Sequence, residues 1–265
     1  MDWYHTIDLP GRGPTPGWFD TRGAPVPLPA RLDGKRCLDV GTYDGYWAFE
    51  MERRGAAEVV AIDVLDPDGW DWPADATPAG IAAVAAQKRG EAFEQAREAL
   101  GSRARRRERS VHQLSPVRDG GFDVVYCGSL TAHLRDPVGA LMAIRSVCRE
   151  LLVLEDAIDA PLTALLRRSP AATLHGRDWP WWWKVNAAGL ARMAEAAGFA
   201  VVDGPRTFFM PFGAGGPKAR VRPRHLHTRA GREEALHALR GDPHAALAAK
   251  PLVRAASATS RRPPA

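Results

Sequence analysis

The chain has 265 residues, 45% apolar and 25% charged, with a formal net charge of +5, a balance that suits a globular protein with one large core. It excludes a membrane span, for want of any run of about 18 apolar residues. The opening MDWYHTIDLPGRG lacks the basic-then-apolar order of a signal peptide, and Cys37, Cys127 and Cys148 show neither zinc nor disulfide spacing, so reduced thiols in the cytoplasm are expected and no metal is.

Residues 1–34 read as an N-terminal cap: YHTIDL alternates like a short strand, PGRGPTPG is a turn cluster, and GAPVPLPARLDG is too proline-rich for a regular element. From Arg36 a regular rhythm begins. RCLDV reads as a buried parallel strand, Tyr46 to Arg54 as a helix and EVVAID as a second strand. The loop DPDGWDWPADATPAG leads into a long alanine-rich helix that Gly101 is placed to stop. RARRRERSVHQL predicts a third strand with exposed arginines, and GFDVVYCGS a fourth. PVGALMAIRSVCR predicts a helix begun by Pro137, followed by ELLVLED as a fifth strand. AGLARMAEAAGF is a helix ending at Gly198, and FAVVDG a sixth strand.

This alternation implies an α/β fold, a Rossmann-like, doubly wound layer around a parallel sheet. Residues 35–228 form the ligand-binding domain in this reading. Residues 229–265 form a C-terminal extension: GREEALHALRGDPHAALAAK has helical pieces without a defined place, and SATSRRPPA is expected to be disordered.

In such a sheet the ligand lies at the carboxyl ends of the strands, beside the first turn. A dinucleotide needs G-x-G-x-x-G there, so that backbone amides can approach a pyrophosphate. The turn is instead Gly41-Thr42-Tyr43-Asp44-Gly45, with Tyr43 at the middle glycine position and Asp44 adding charge that would repel phosphate. The G-x-x-x-x-G-K-[ST] phosphate loop is absent too. S-adenosylmethionine carries no phosphate but an ammonium and a sulfonium, which carboxylates favour. Gly41 lets the main chain approach the cofactor, and Asp39 orients the turn and receives the ammonium. Asp63, with Val64 after it, ends the second strand; its carboxylate suits the ribose hydroxyls, and its spacing of 22 residues from Gly41 is close to the ~20 of that role in dinucleotide folds.

LDVGTYDGYWAFEMERRGAAEVVAIDV, FDVVYCGSLTAHLRDP and the leader WYHTIDLPGRGPTPGWFD resemble the class I S-adenosylmethionine-dependent methyltransferases. More narrowly they resemble the family of the tRNA wobble-uridine (5-oxyacetyl/methoxy uridine) methyltransferases, as does WWWKVNAAGLARMAEAAGF, where Val185 replaces that family's proline. The resemblance runs from about Trp3 to Phe199. It implies a seven-stranded class I methyltransferase sheet, of which six strands are visible in the sequence. It assigns Ser110 and Val111 to the adenine, and Gly128, Ser129 and Leu130 to the cofactor and acceptor mouth. The carboxymethyl-transferring branch has a tyrosine before the motif histidine and a lysine in the leader. Ala132 before His133, and Arg22 in the leader, favour plain methyl transfer.

His133 at the strand-four mouth is either a base for an acceptor hydroxyl or a loop-holding histidine. Trp179, Trp181, Trp182 and Trp183 crowd one loop; Trp182 and Trp183 are candidates to stack on an acceptor, or else build a lid or core. Tyr4 and Phe19 are expected to cover the pocket. The arginines of RARRRERS read as a solvated face, and KARVRPRHLHTR as an edge strand ahead of an RNA track. The expected function is methyl transfer to a hydroxyl or similar nucleophile of a small molecule. The alternatives are tRNA wobble-uridine modification and a non-catalytic cofactor-binding protein on the same fold.

Overall fold

Apolar runs that lack polar alternation become strands buried on both faces. In the computed structural model, which describes residues 3–86, 90–218 and 227–252, this holds for most of the sheet. A small hairpin, β1 (Asp8–Leu9) and β2 (Gly13–Pro14), comes first. Then follow β3 (Arg36–Val40), α1 (Tyr46–Arg53), β4 (Glu58–Asp63), α2 (Pro78–Ala85), α3 (Glu91–Leu100), β5 (Arg105–Glu108), α4 (Pro116–Asp119), β6 (Phe122–Gly128), α5 (Pro137–Val147) and β7 (Cys148–Ala157). Next come α6 (Ala160–Leu165), β8 (Ala172–Leu174), β9 (Trp183–Val185), α7 (Ala187–Ala196), β10 (Phe199–Met210), α8 (Arg229–Arg240) and β11 (Asp242–Pro251).

Seven strands form one mixed sheet in the order β10-β11-β7-β6-β3-β4-β5. Neighbours from β7 to β5 pair in parallel, and β11 runs antiparallel to both β7 and β10. Period-two alternation sends Leu38, Val40, Val60, Val125 and Leu152 into a core with α5 and α7. It sends Cys37, Val59, Ala61, Val124, Tyr126 and Val153 into a second core with α1, α3 and the leader. All three cysteines are buried thiols, and burial pushes Cys37 and Cys148 up to about 12. Among the described residues no helix is long and apolar enough to cross a membrane.

The sheet corrects the reading of the C-terminal segment. DPHAALAAKP, assigned to helical pieces of an extension, is β11, an interior strand one place from the sheet's edge, and Ala245, Ala246, Leu247 and Ala249 are completely buried. Ahead of it GREEALHALR is helical, as expected. The single alanine-rich helix is two, α2 and α3. Gly90 at φ +91° opens the second, where an added Cβ would lie 1.9 Å from Arg106 Nη1. Gly101 at φ +61° stops it. The third strand covers only Arg105–Glu108, and the sixth continues to Met210. Residues 219–226 of KARVRPRHLHTR, and the tail from 253, lie outside the described residues.

Candidate active site

The turn after β3 leans on the end of β4: Gly41 and Thr42 donate their amides to Ile62 O at 2.9 and 3.1 Å. Gly41 sits at φ +76°, a left-handed conformation that other L-residues adopt at a cost. Leu130, from the loop after β6, lies 3.4 Å from where a Cβ would be. Asp39 Oδ2 accepts from Thr42 Oγ1 at 2.6 Å and from the Ala48 amide at 3.1 Å, so it fixes the turn and the start of α1. It is 1% exposed, and this burial pushes its carboxyl up to about 7. Asp63 clasps the same turn from β4. Its Oδ2 accepts from the Tyr43 amide and its Oδ1 from the Val64 amide, each at 2.8 Å.

Two members of the turn do other work than the sequence suggests. Asp44 is 0% exposed and faces the leader, not a ligand. Its carboxylate accepts the Tyr4 and His5 amides at 2.8 and 2.7 Å and pairs with His5 Nδ1. Its charge therefore cannot be what repels phosphate; Tyr43, at φ +49° in the middle-glycine position, is the feature that departs from a dinucleotide turn. Gly45, at φ +91°, makes room for aromatic rings: a Cβ would meet Phe49 and Phe93 at 2.6 Å.

Beyond β6 the chain enters a second left-handed residue, Ser129 at φ +47°. Its amide donates to Glu155 O at 2.9 Å, and its hydroxyl lies 3.4 Å from Glu155 Oε2. Gly128 has no side chain because Tyr126 Oη fills that space, 2.0 Å from an added Cβ. That hydroxyl donates to Glu155 Oε2 at 3.1 Å. Glu155, 2% exposed, also pairs through Oε1 with His244 Nδ1, and His244 Nε2 lies 2.9 Å from Asp242 Oδ2. Burial opposes charge on His244, but the two carboxylates outweigh it and raise its pKa to about 10. Tyr4 reaches into this group from the leader. Burial lifts its phenol far above the usual range, and the nearby Ser129 side chain offsets only part of that. Its ring lies 5.3 Å from both Tyr43 and Phe19, and Phe19 lies 5.8 Å from His244.

After β5, the Arg109 amide donates to Asp63 O at 2.8 Å, which sets Ser110 and the buried Val111 beside the end of β4. After β6, Asp156 Oδ2 accepts from the Thr131 amide and hydroxyl at 2.7 and 2.6 Å and so shapes the turn bearing His133. Burial raises the pKa of that carboxyl. His133 Nδ1 donates to Pro180 O at 2.7 Å, and its ring meets Trp181 edge-on at 5.0 Å. Trp182 donates its amide to Ala132 O at 2.7 Å and its indole N–H to Asp71 O at 2.6 Å, while Arg135 covers its ring at 5.0 Å. Trp183 donates its indole N–H to Arg135 O at 3.3 Å. Trp179 packs on Trp70 and Trp72. The tryptophan loop thus bridges the loops after β4 and β6 as a lid, with His133 as one of its fastenings.

The structure therefore brings Asp39, Gly41, Thr42, Tyr43, Asp63, Val64, Ser129, Leu130 and Tyr4 around one mouth. Glu155 and His244 were missed. The two acids closing ELLVLED at a strand's carboxyl end signalled Glu155, whereas His244 required recognising β11. The arginines of β5 divide: Arg105 is exposed and pairs with Glu58 at 2.8 Å, whereas Arg106, 15% exposed, turns inward over the Phe93 ring and pairs with Glu94 at 3.5 Å.

Residues 23–203 match the family model described as a methyltransferase domain. The chain is 26% identical over 219 residues to the ubiquinone biosynthesis O-methyltransferase of Aeromonas salmonicida, covering 73% of this chain and 81% of that one. It is 27% identical over 214 residues to the enzyme of that name from Neisseria meningitidis serogroup C, covering 70% and 78%. In fold it is similar to the 1,6-didemethyltoxoflavin-N1-methyltransferase of Burkholderia thailandensis, with TM-score 0.50, 15% identity, and 83% and 72% of the two chains covered. On this match, over a seven-stranded sheet with its last strand reversed, the chain belongs to the methyltransferase-domain family and is an S-adenosylmethionine-dependent methyltransferase.

Proposed function

We propose that the protein methylates a hydroxyl group of a small molecule. The observation that carries this reading is the set of groups on the loop after β6 and the strand beside it: the Ser129 hydroxyl, 3.4 Å from Glu155 Oε2, and the Tyr126 hydroxyl that donates to the same oxygen, under a leader and a tryptophan loop that are both fastened down. Such a mouth suits a small neutral molecule that donates a hydrogen bond. It is poorly suited to a polyanionic strand, and Arg22 of the leader is already held by Asp8 and Asp20 at 2.7 Å. Likeness to two O-methyltransferases supports the same acceptor chemistry.

The residues fit the cofactor. Gly41 provides a left-handed turn without a side chain, Asp63 offers carboxylate oxygens at the end of β4, and Leu130 adds an apolar wall. Asp39, poised near neutrality, lies beneath the turn and becomes fully anionic when a cation approaches. Ser110 and Val111 flank the adenine position. When bound, S-adenosylmethionine supplies a methyl group on a positively charged sulfur. The protein's part is to align the acceptor oxygen and keep water out. The leader and the tryptophan loop do both, since positioning and exclusion of water are the main accelerants of a direct displacement. His133 holds the lid through Pro180 in this account.

The test incubates purified protein and methyl-labelled S-adenosylmethionine with catechol, phenol, a hexose, a primary amine and unmodified tRNA. Label is expected in a hydroxyl compound. Label confined to tRNA or to the amine would overturn the proposal.

A further inference from the structure

We propose that Asp44 is a positioning residue for the methyl acceptor: it fastens the leader onto the cofactor turn and so holds Tyr4 and Phe19 as one wall of the acceptor mouth. The proposal rests on the reading above that the leader closes that mouth, and it holds for an acceptor of any chemistry.

The turn itself is held by other groups. Gly41 and Thr42 donate their amides to Ile62 O, and the Gly45 amide donates to Thr42 O at 2.8 Å. Asp39 takes the Thr42 hydroxyl and the Ala48 amide, and Asp63 takes the Tyr43 amide. Every hydrogen bond of the Asp44 side chain among the described residues goes instead to the leader, 39 or 40 residues earlier in the chain. Burying a carboxylate is costly unless its oxygens are matched. Asp44, 0% exposed, has both matched by one short stretch: Oδ2 by the Tyr4 and His5 amides, and Oδ1 by His5 Nδ1. The His5 ring is fixed in turn. It stacks on Tyr46, the first residue of α1, with centroids 5.5 Å apart, and Tyr4 meets it edge-on at 4.8 Å.

Beyond His5 the leader is a strap bonded to itself. Thr15 Oγ1 accepts the Ile7 amide and donates to His5 O, both at 2.8 Å. The Thr6 amide donates to Phe19 O at 2.8 Å and the Phe19 amide to Tyr4 O at 2.9 Å. Gly17 permits this approach, since an added Cβ would lie 2.3 Å from the His5 carbonyl carbon. The far side of the strap is tied to the segment after β10. The Asp20 amide donates to Pro211 O and the Gly213 amide to Trp18 O, each at 2.8 Å, and the Gly215 amide donates to Gly17 O at 3.0 Å.

The strap therefore crosses the carboxyl edge of the sheet between β3 and β10, fastened at one side by backbone and at the other by Asp44. Between these fastenings the Tyr4 ring lies 5.3 Å from both Tyr43 and Phe19. Phe19 lies 5.4 Å from Phe212 and 5.8 Å from His244. An acceptor resting on these rings is located relative to the cofactor turn through Asp44. Misplacing a reactant by about 1 Å slows a reaction about 100-fold, so this fastening governs the rate without touching either ligand.

The experiment compares Asp44→Ala, Asp44→Asn, Tyr4→Ala and the double variant of Asp44→Ala with Tyr4→Ala, with catechol as acceptor. Asp44→Ala should lower kcat/KM for catechol about 100-fold, while calorimetric affinity for S-adenosylhomocysteine stays within about threefold because Asp39 and Asp63 still hold the turn. Asp44→Asn should recover about tenfold of the loss, since its amide oxygen takes both leader amides and its NH2 group donates to His5 Nδ1. Adding Tyr4→Ala to Asp44→Ala should change kcat/KM by less than about twofold, because the aspartate acts through that ring. Amide hydrogen exchange at Tyr4 and His5 should speed up in Asp44→Ala while β3 and β6 stay protected, which reads the fastening without turnover in a folded chain. Four results overturn the proposal: an unchanged kcat/KM, a loss of S-adenosylhomocysteine affinity as large as the loss with catechol, Asp44→Asn no better than Asp44→Ala, or effects of Asp44→Ala and Tyr4→Ala that add in full. If the wild type binds S-adenosylhomocysteine but labels only the amine or tRNA, the hydroxyl-acceptor reading falls, and the same comparison on the labelled compound decides for or against Asp44.

Discussion

Two glycines of one turn illustrate how differently the same residue type is used. Both Gly41 and Gly45 have left-handed φ angles, +76° and +91°, and so both resist replacement. A methyl group on Gly41 meets only Leu130, at 3.4 Å, whereas one on Gly45 lands 2.6 Å from two aromatic rings. Gly41→Ala should therefore cost about 1–2 kcal/mol from backbone strain alone. Its main effect should be on the ligand, with affinity for S-adenosylhomocysteine falling more than about tenfold (~1.4 kcal/mol) as the added carbon narrows the approach. Gly45→Ala adds overpacking to strain and should cost about 2–4 kcal/mol. Urea denaturation and calorimetry on the two variants separate the roles; equal losses of stability would contradict the assignment. Nothing in the string GTYDG distinguishes these jobs, because the distinction comes from Phe93 on α3 and Leu130 after β6. Asp44 shows the same limit: the leader, remote in sequence, decides where its carboxylate points.

At the scale of elements, what could be read in advance was whatever the local pattern alone decides. RCLDV, EVVAID and GFDVVYCG are apolar runs bounded by turns, so they are strands in any context, and Pro137 with Asp136, whose carboxylate accepts the Gly139 amide at 2.8 Å, starts α5. β11 was hidden because its sequence, DPHAALAAKP, has four alanines, the best helix former, around its one leucine and does not alternate. Its strand conformation is imposed by β7 and β10, which pair with it on either side. Small side chains suit that place, since Gly204 on β10 would already press an added Cβ to 2.6 Å from Ala246 O. The missed half of the mouth follows from the same omission, as His244 and Asp242 are the opening residues of β11. A chain ended after Gly241 should therefore fail to give a cooperative fold by circular dichroism and thermal melting, because the edges of β7 and β10 lose the strand that pairs with both. Leu247→Ala, a milder change in the same strand, should fold but lose about 2–5 kcal/mol. A soluble, cooperatively melting truncated chain would show instead that residues 242–265 are dispensable.

For the whole molecule, the buried ionisable groups tilt stability toward acid. The Asp39 carboxyl titrates near 7 in the fold, against an ordinary carboxylate range near 4. Between those values the folded chain holds a proton that the unfolded chain has lost, so stability falls as pH rises through that window. His244 acts in the next window. Its folded pKa is about 10, against 6.5 for an ordinary imidazole, so the stability gained from its paired charge is complete below 6.5 and disappears as pH climbs through 10. Each tenfold gain in proton affinity on folding is worth about 1.4 kcal/mol, so the upper window alone should remove a few kcal/mol. The expected result is a Tm that declines steadily between pH 6.5 and 8, below the range where the buried Cys37 and Cys148 thiols add a slope of their own. In His244→Gln, which is less stable at neutral pH, the same stretch should be nearly flat because the titrating group has gone. Bound S-adenosylmethionine should oppose the lower part of the decline, since a nearby cation draws the Asp39 pKa down and makes the ligand bind more tightly as pH rises. A wild-type Tm that stays level over this range, or a variant with the same slope as the wild type, would show that His244 carries no proton in the fold.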